Sequence, residues 1–314
     1  MTFNYKNVYL EDTSLIAGPY EAKGPLKKYF DKCYDDLYFG EDSWEKAEIK
    51  LVRDSISMIL KKNGIKKDEI DLVVGGDLLN QITATTYGTY GVGKGFIGIY
   101  GACSNSVLGM IVGSNFIESK NVSNALVCVS SHNMSSEKQF RNPTEFGAPK
   151  PQSATFTSTG GACCLLTNNK SNVKVECATL GRIIDYSQNN PNDMGRVMAP
   201  AAIDTLKRHF EETERDPSYY DLILTGDLGR YGKEIVIDYM KSVYDLEKQE
   251  EVLAGGSGPV CSALVKFGYV FDELKKKKLK RVLLVATGAL LSSTMVYQKQ
   301  NINSIAHAIS LEVV

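Results

Sequence analysis

One cysteine in this chain stands where a strand gives way to a helix. In FIGIYGACSNSVLG, Cys103 follows an apolar strand and a tight turn of small residues, so its thiol is expected at a helix N-terminus. There the helix dipole and free N–H groups favour thiolate, the attacking form of the group. A small buried Cys packed at a turn is the plainer alternative. Three histidines could carry protons for such a nucleophile. His209, in RHFEETERD, reads as the solvated C-terminal end of a polar helix. His132 follows the strand ALVCVSS, and His307 lies in SIAHAISLE, a tail able to fold back. Each of these two either lines a pocket or is a satisfied structural histidine.

The elements that must position these residues repeat. DLVVGGDLLN (Asp71 to Asn80) is answered by DLILTGDLGR (Asp221 to Arg230), and GACSNSVLGMIVGSNFI by GGSGPVCSALVKFGYVF. SNALVCVSSHN is answered by KRVLLVATGALLSS, in the same order. Each half reads as helix, strand, turn, helix, strand, the first helices being Trp44 to Asn63, ending at Gly64, and Ala199 to Glu214. Continuous apolar strands between helices imply sheets covered on both faces, and two such halves make a layered α/β/α/β/α block. The division is placed at 1–178 and 179–314. Arg141 to Ser153 reads as an inserted loop.

Composition limits the partners. With 314 residues, 43% hydrophobic and 23% charged, the chain has ample core. Its 36 basic and 37 acidic residues sum to −1, which gives no field for nucleic acid. Seven cysteines without a C-x-x-C fit reduced thiols, with no metal site expected. The start MTFNYKNVYLEDTS lacks a basic flank and apolar core, and the apolar stretch from Val282 to Leu291 falls short of the ~18 residues that span a bilayer. A soluble, cytoplasmic chain is expected. The run DELKKKKLKR (Asp272 to Arg281) reads as a solvated helix end, or as a surface for anionic lipid or an acidic partner.

A strand, G-A-C-S and a small-residue helix inside a duplicated α/β chain resemble the thiolase and ketoacyl-synthase superfamily. KGPLKKYF, YDDLYFGEDSWEKAE, GGDLLNQIT, SSHNMSSEKQFRNPTEFG, PNDMGRVMAPAA, TGDLGR, AGGSG and IAHAISLE together resemble the stage V sporulation protein AD family, from about Gly18 to Glu312. The resemblance implies a thiolase-like α/β fold of two similar halves, and a part in loading dipicolinic acid into the developing spore. It also implies work beside membrane proteins of the same operon, so a peripheral place at the spore inner membrane; a homodimer is compatible with this. Condensing enzymes add a histidine, an asparagine or second histidine, and in thiolases a second cysteine; Gly226 or Asp227, Gly256 and Ala286 stand there. A non-catalytic binder without cofactor is therefore expected. The alternative is an acyltransferase acting through Cys103 on a CoA thioester.

If the halves pack as in the superfamily, Asp77, Asn80 and Gln81 meet Asp227 and Arg230 near Cys103, with His132 and His307 as further candidates. Asp77 and Asp227 are expected to cap helices as well. Arg230 is the preferred cation for a dicarboxylate, with Lys138 and Arg141 as alternates. Ionised aspartates oppose a dianion unless protonated, paired or bridged by Ca²⁺. This chain also departs from the family pattern in a short Tyr239 to Gly255 segment and in Pro259.

Overall fold

A computed structural model describes residues 1–140, 151–241 and 255–314. The first half runs β1 (Thr2–Asn4), β2 (Tyr9–Ala17), β3 (Lys32–Cys33), α1 (Trp44–Asn63), β4 (Leu72–Gly76), α2 (Thr83–Gly88), β5 (Gly95–Gly98), α3 (Asn105–Glu118), β6 (Asn124–Ser131), α4 (Asn133–Phe140), β7 (Phe156–Thr157) and β8 (Gly160–Thr167). The second runs β9 (Val173–Thr179), α5 (Met194–Thr213), β10 (Leu222–Leu224), α6 (Gly229–Lys241), β11 (Gly256–Ser257), α7 (Pro259–Ala263), a π-helical turn (Leu264–Val270), α8 (Phe271–Lys275), β12 (Arg281–Ala289), α9 (Ser293–Tyr297) and β13 (Ser304–Val313).

The duplication read in the sequence is present in the strand order. Hydrogen bonding runs β4-β6-β8-β2 in one half and β10-β12-β13-β9 in the other, parallel at the first pair and antiparallel at the next two. Even the aspartates correspond: Asp71 takes the N–H groups of Ser123 and Asn124 at the start of β6, and Asp221 those of Lys280 and Arg281 at the start of β12. The two halves join where Tyr9 of β2 pairs with Lys174 of β9, which closes them into one eleven-stranded sheet. The division at residue 178 therefore falls inside β9, which pairs with β13; the plan restarts between Thr167 and Val173.

Apolar cores separate the layers. Val52, Ile56 and Ile59 of α1 pack against Leu126 and Leu165. Met110 and Ile111 of α3, with Phe267 and Leu274, lie between Val127 and Leu166 on one side and Leu284 and Ile309 on the other. Leu206 and Phe210 of α5 meet Leu283 and Val285 beyond. The order is α/β/α/β/α, as expected.

Helix ends follow local rules. Ser43 caps α1 by accepting from Lys46 N–H at 3.3 Å, and Gly64 closes it at φ 62°, a left-handed conformation that favours glycine. The helix expected at Ala199 begins five residues earlier, at Met194, with Asp193 as its cap. Pro200 lies inside it, at the loss of one intrahelical bond. Within the described residues no helix is long and apolar enough to cross a membrane.

Candidate functional site

β5 ends two residues before a bend that turns the chain into α3. Ala102 sits at φ 50°, strained for a residue with a Cβ, and Gly101 N–H and Ser104 Oγ close the bend through Asn105 Oδ1 and Gly101 O. The bend presents Cys103 Sγ to the second half, where it accepts the Gly258 N–H at 3.1 Å. Enclosure by protein pushes the thiol above its ordinary pKa, and the two backbone N–H groups only partly oppose that. The thiolate expected from the helix start is therefore not the resting form: burial outweighs the dipole.

Cys103 opens on a cavity of about 220 Å³, whose wall includes Tyr100, Phe140, Thr157, Asn192, Met198 and Ser257. Among its described lining residues there is no histidine, lysine or arginine, and Glu137 is acidic. Past Cys103 and Gly258 lies a small chamber of about 10 Å³, room for about one water-sized atom. Its wall holds Asp227, Gly256, Cys261, Ser262, Gly226 and Thr287. The positions matched to the condensing-enzyme proton carriers, Gly226, Asp227 and Gly256, thus do stand beside Cys103. A larger cavity of about 480 Å³ surrounds β10 and meets the chamber at Asp227, Cys261 and Ser262. Leu206, Val236 and Met240 make it mainly apolar.

The two Gly-Asp-Leu turns behave differently. Asp77 is fully buried; its carboxylate accepts from Leu79 N at 2.8 Å and from both N and Oγ1 of Thr85 at 2.7 Å. It latches α2 to β4 and does not line the cavity; burial raises its pKa. Asp227 accepts from Gly229 N at 3.0 Å and Gly256 N at 2.7 Å, tying the two second-half turns beneath Cys103. Asn80 and Gln81 are exposed on a neighbouring groove with Tyr100 and Phe140. Arg230 lies exposed on the first turn of α6, 3.1 Å from Glu234, away from the Cys103 cavity. Of the alternates, Lys138 is bonded to Glu45 at 2.7 Å and Arg141 lies outside the described residues.

None of the three histidines meets Cys103. His132 Nε2 donates to Leu37 O at 2.7 Å while Nδ1 accepts from Met134 N at 3.1 Å, so the ring caps α4. His307 is held in β13, where Nδ1 accepts from Gly181 N at 3.0 Å and burial pushes its pKa down to about 4. His209 overturns the solvated reading: it is wholly buried between Thr179 Oγ1 and Tyr220 OH, at 2.8 and 2.7 Å, with its pKa likewise near 4.

Sequence reasoning missed the chamber's own chemistry. Lys266, in the π-helical turn, is 1% exposed and donates to Ser262 Oγ at 3.2 Å. Burial drives its amine down to about 7 and the nearby Cys261 thiol up to about 12. The available signal was a single lysine inside the apolar run ALVKFGYVF.

Comparison with known proteins gives both a family and a fold. Residues 1–312 match the family model described as Stage V sporulation protein AD (SpoVAD). The Stage V sporulation protein AD of Bacillus subtilis (strain 168) is 41% identical over 97% of this chain and 94% of its own length. Cerulenin-bound OleA of Xanthomonas campestris superposes with TM-score 0.64 at 15% identity, covering 99% of this chain and 100% of that one. The 3-oxoacyl-(acyl carrier protein) synthase III, FabH, of Xanthomonas oryzae pv. oryzae gives 0.60 at 16%, covering 99% and 100%. These structural likenesses bear out the thiolase-like fold.

Proposed function

Since the chain belongs to the stage V sporulation protein AD family, and so has a role in sporulation, we propose that it is a non-catalytic binding protein for dipicolinic acid, serving the uptake of that dicarboxylate into the developing spore. The Cys103 cavity carries this reading. At about 220 Å³ it has room for a small planar ligand, and Tyr100, Thr157, Ser257 and Asn192 offer polar contacts. General acid–base catalysis needs its carrier within hydrogen-bond reach. His132 and His307 are committed to Leu37, Met134 and Gly181 instead. Glu137 in the wall opposes a bare dianion, so Ca²⁺ entering with dipicolinate would offset the repulsion.

The protein would act peripherally at the spore inner membrane, beside the membrane proteins of its operon, and a homodimer is compatible with that place. One observation favours a second reading, acyl transfer from a CoA thioester: the strained bend at Ala102 still presents the Cys103 thiol to a cavity. Calorimetric titration with dipicolinate, with and without Ca²⁺, tests the first reading, and acyl-CoA turnover tests the second. Saturable dipicolinate binding that survives in Cys103→Ala, without turnover, supports the binder. Steady turnover that vanishes in Cys103→Ala overturns it.

A further inference from the structure

The chamber behind Cys103 holds a polar group with nothing to bond among the described residues. Thr287 is 1% exposed, its Oγ1 has no hydrogen-bond partner among the described residues, and it lines the chamber. A buried hydroxyl left unmade is costly, so it marks a place for a missing oxygen or nitrogen. Ser262 Oγ faces the same space while accepting from Lys266 Nζ, which leaves the serine's own proton directed elsewhere. Two glycines keep the space open. A Cβ on Gly226 would come 2.3 Å from Thr287 Oγ1, and one on Gly256 would come 2.6 Å from Cys261 Sγ.

A buried amine lies behind the same chamber and can offset its acidic wall residue, Asp227. The 220 Å³ cavity shares Cys103, Met198, Ser257 and Gly258 with the chamber, and its described lining lacks a lysine or arginine. Lys266 stands one hydrogen bond behind Ser262, at 3.2 Å. We propose that the chamber is a carboxylate-oxygen subsite: a ligand in the larger cavity reaches past Cys103 with one oxygen, Thr287 and Ser262 donate to it, and Lys266, acting through Ser262, supplies the charge. Lys266 is thus a positioning residue that gains a proton as the anion enters. Cys261 faces it with a neutral thiol that does not compete for that proton at neutral pH, and Asp227 in the chamber wall has one oxygen taken by the Gly229 N–H and the other by the Gly256 N–H. This deepens the dipicolinate reading and rests on it for the ligand's identity.

Two measurements on the whole chain separate the subsite from that identity. In calorimetry at pH 8 in buffers of different ionisation enthalpy, dipicolinate binding should take up close to one proton. Lys266→Met should remove the uptake, Thr287→Val should weaken binding about tenfold, and Thr287→Ser should restore it. Independently of dipicolinate, Cys103 should react faster with iodoacetate, whose carboxylate can enter the chamber, than the thiol's reaction with neutral iodoacetamide leads one to expect from a free-thiol control. Thr287→Val should erase that excess. If dipicolinate fails to bind but the excess is present and lost in Thr287→Val, the subsite stands and the ligand reading falls. Binding without proton uptake, or an iodoacetate ratio equal in wild type and Thr287→Val, overturns the subsite.

Discussion

Replacing Lys266 by Met should stabilise the protein at neutral and acidic pH. The amine is wholly buried, and burial lowers its pKa from 10.5 to about 7. At 1.36 kcal/mol per pKa unit, that fall is worth about 5 kcal/mol of differential cost for holding the charged form inside. Below about pH 7 both folded and unfolded chains carry the proton, and the whole cost is present. Between 7 and 10.5 the unfolded chain holds a proton that the folded one has released, so stability rises with pH. Above 10.5 both are neutral and the cost is gone. Methionine fills similar space without charge, and losing the Ser262 bond returns about 1 kcal/mol, which leaves a gain of roughly 3–4 kcal/mol at pH 6. Urea unfolding of both proteins from pH 6 to 9.5 measures it. The wild type should gain on Met as pH rises, the two curves converging. A variant less stable than wild type at pH 6, with an unchanged pH slope, would mean that the buried amine carries no such cost.

Four other outcomes follow from the same structure. Glu48, buried against Ser130, Ser135 and the field of Asp77, has its pKa well above the carboxylate range; the folded chain then holds a proton that the unfolded one has lost, so stability falls as pH rises from about 4.5, and Glu48→Gln should flatten that decline in a series of melting temperatures. Asp77→Asn should cost about 2–3 kcal/mol in urea unfolding because three donors from Leu79 and Thr85 lose a charged acceptor, whereas Asn80→Ala and Gln81→Ala, both exposed, should stay within about 0.5 kcal/mol. Arg230→Ala should leave dipicolinate affinity within about twofold, its guanidinium being paired with Glu234 on the surface. Iodoacetamide should modify Cys103 slowly at pH 7 and faster through pH 9 and above, since burial holds the thiol protonated.

The layers were legible because they rest on periodicity. Apolar runs such as Leu72–Gly76 and residues 282–289 read as strands buried on both faces, and the matching segments that begin at Asp71 and Asp221 revealed the duplication. The position of Cys103 was legible for the same reason, since a strand, small residues and a helix define the bend. What sequence could not give was the balance of forces at each site. Its thiol was expected to be acidic from the helix start, but desolvation wins in this bend. His209 sits among charged neighbours in the chain, yet its helix face turns inward between Thr179 and Tyr220. Arg230 is near Asp227 in sequence but one helical turn carries it to solvent. Lys266 reads as a side chain able to reach water, and only the π-helical turn packed on β2 and β8 shows that it does not.

If the protein is a dipicolinate binder, the ligand occupies the Cys103 cavity. The most direct test is the rate at which iodoacetamide alkylates Cys103, followed by mass spectrometry, as dipicolinate is added with Ca²⁺. A ligand seated between Tyr100, Asn192 and Cys103 must exclude the reagent. The rate should fall in a saturable way, with half-protection at the dissociation constant found by calorimetry. An unchanged rate at dipicolinate concentrations that saturate the calorimetric signal would place the ligand elsewhere and remove the Cys103 cavity from its binding.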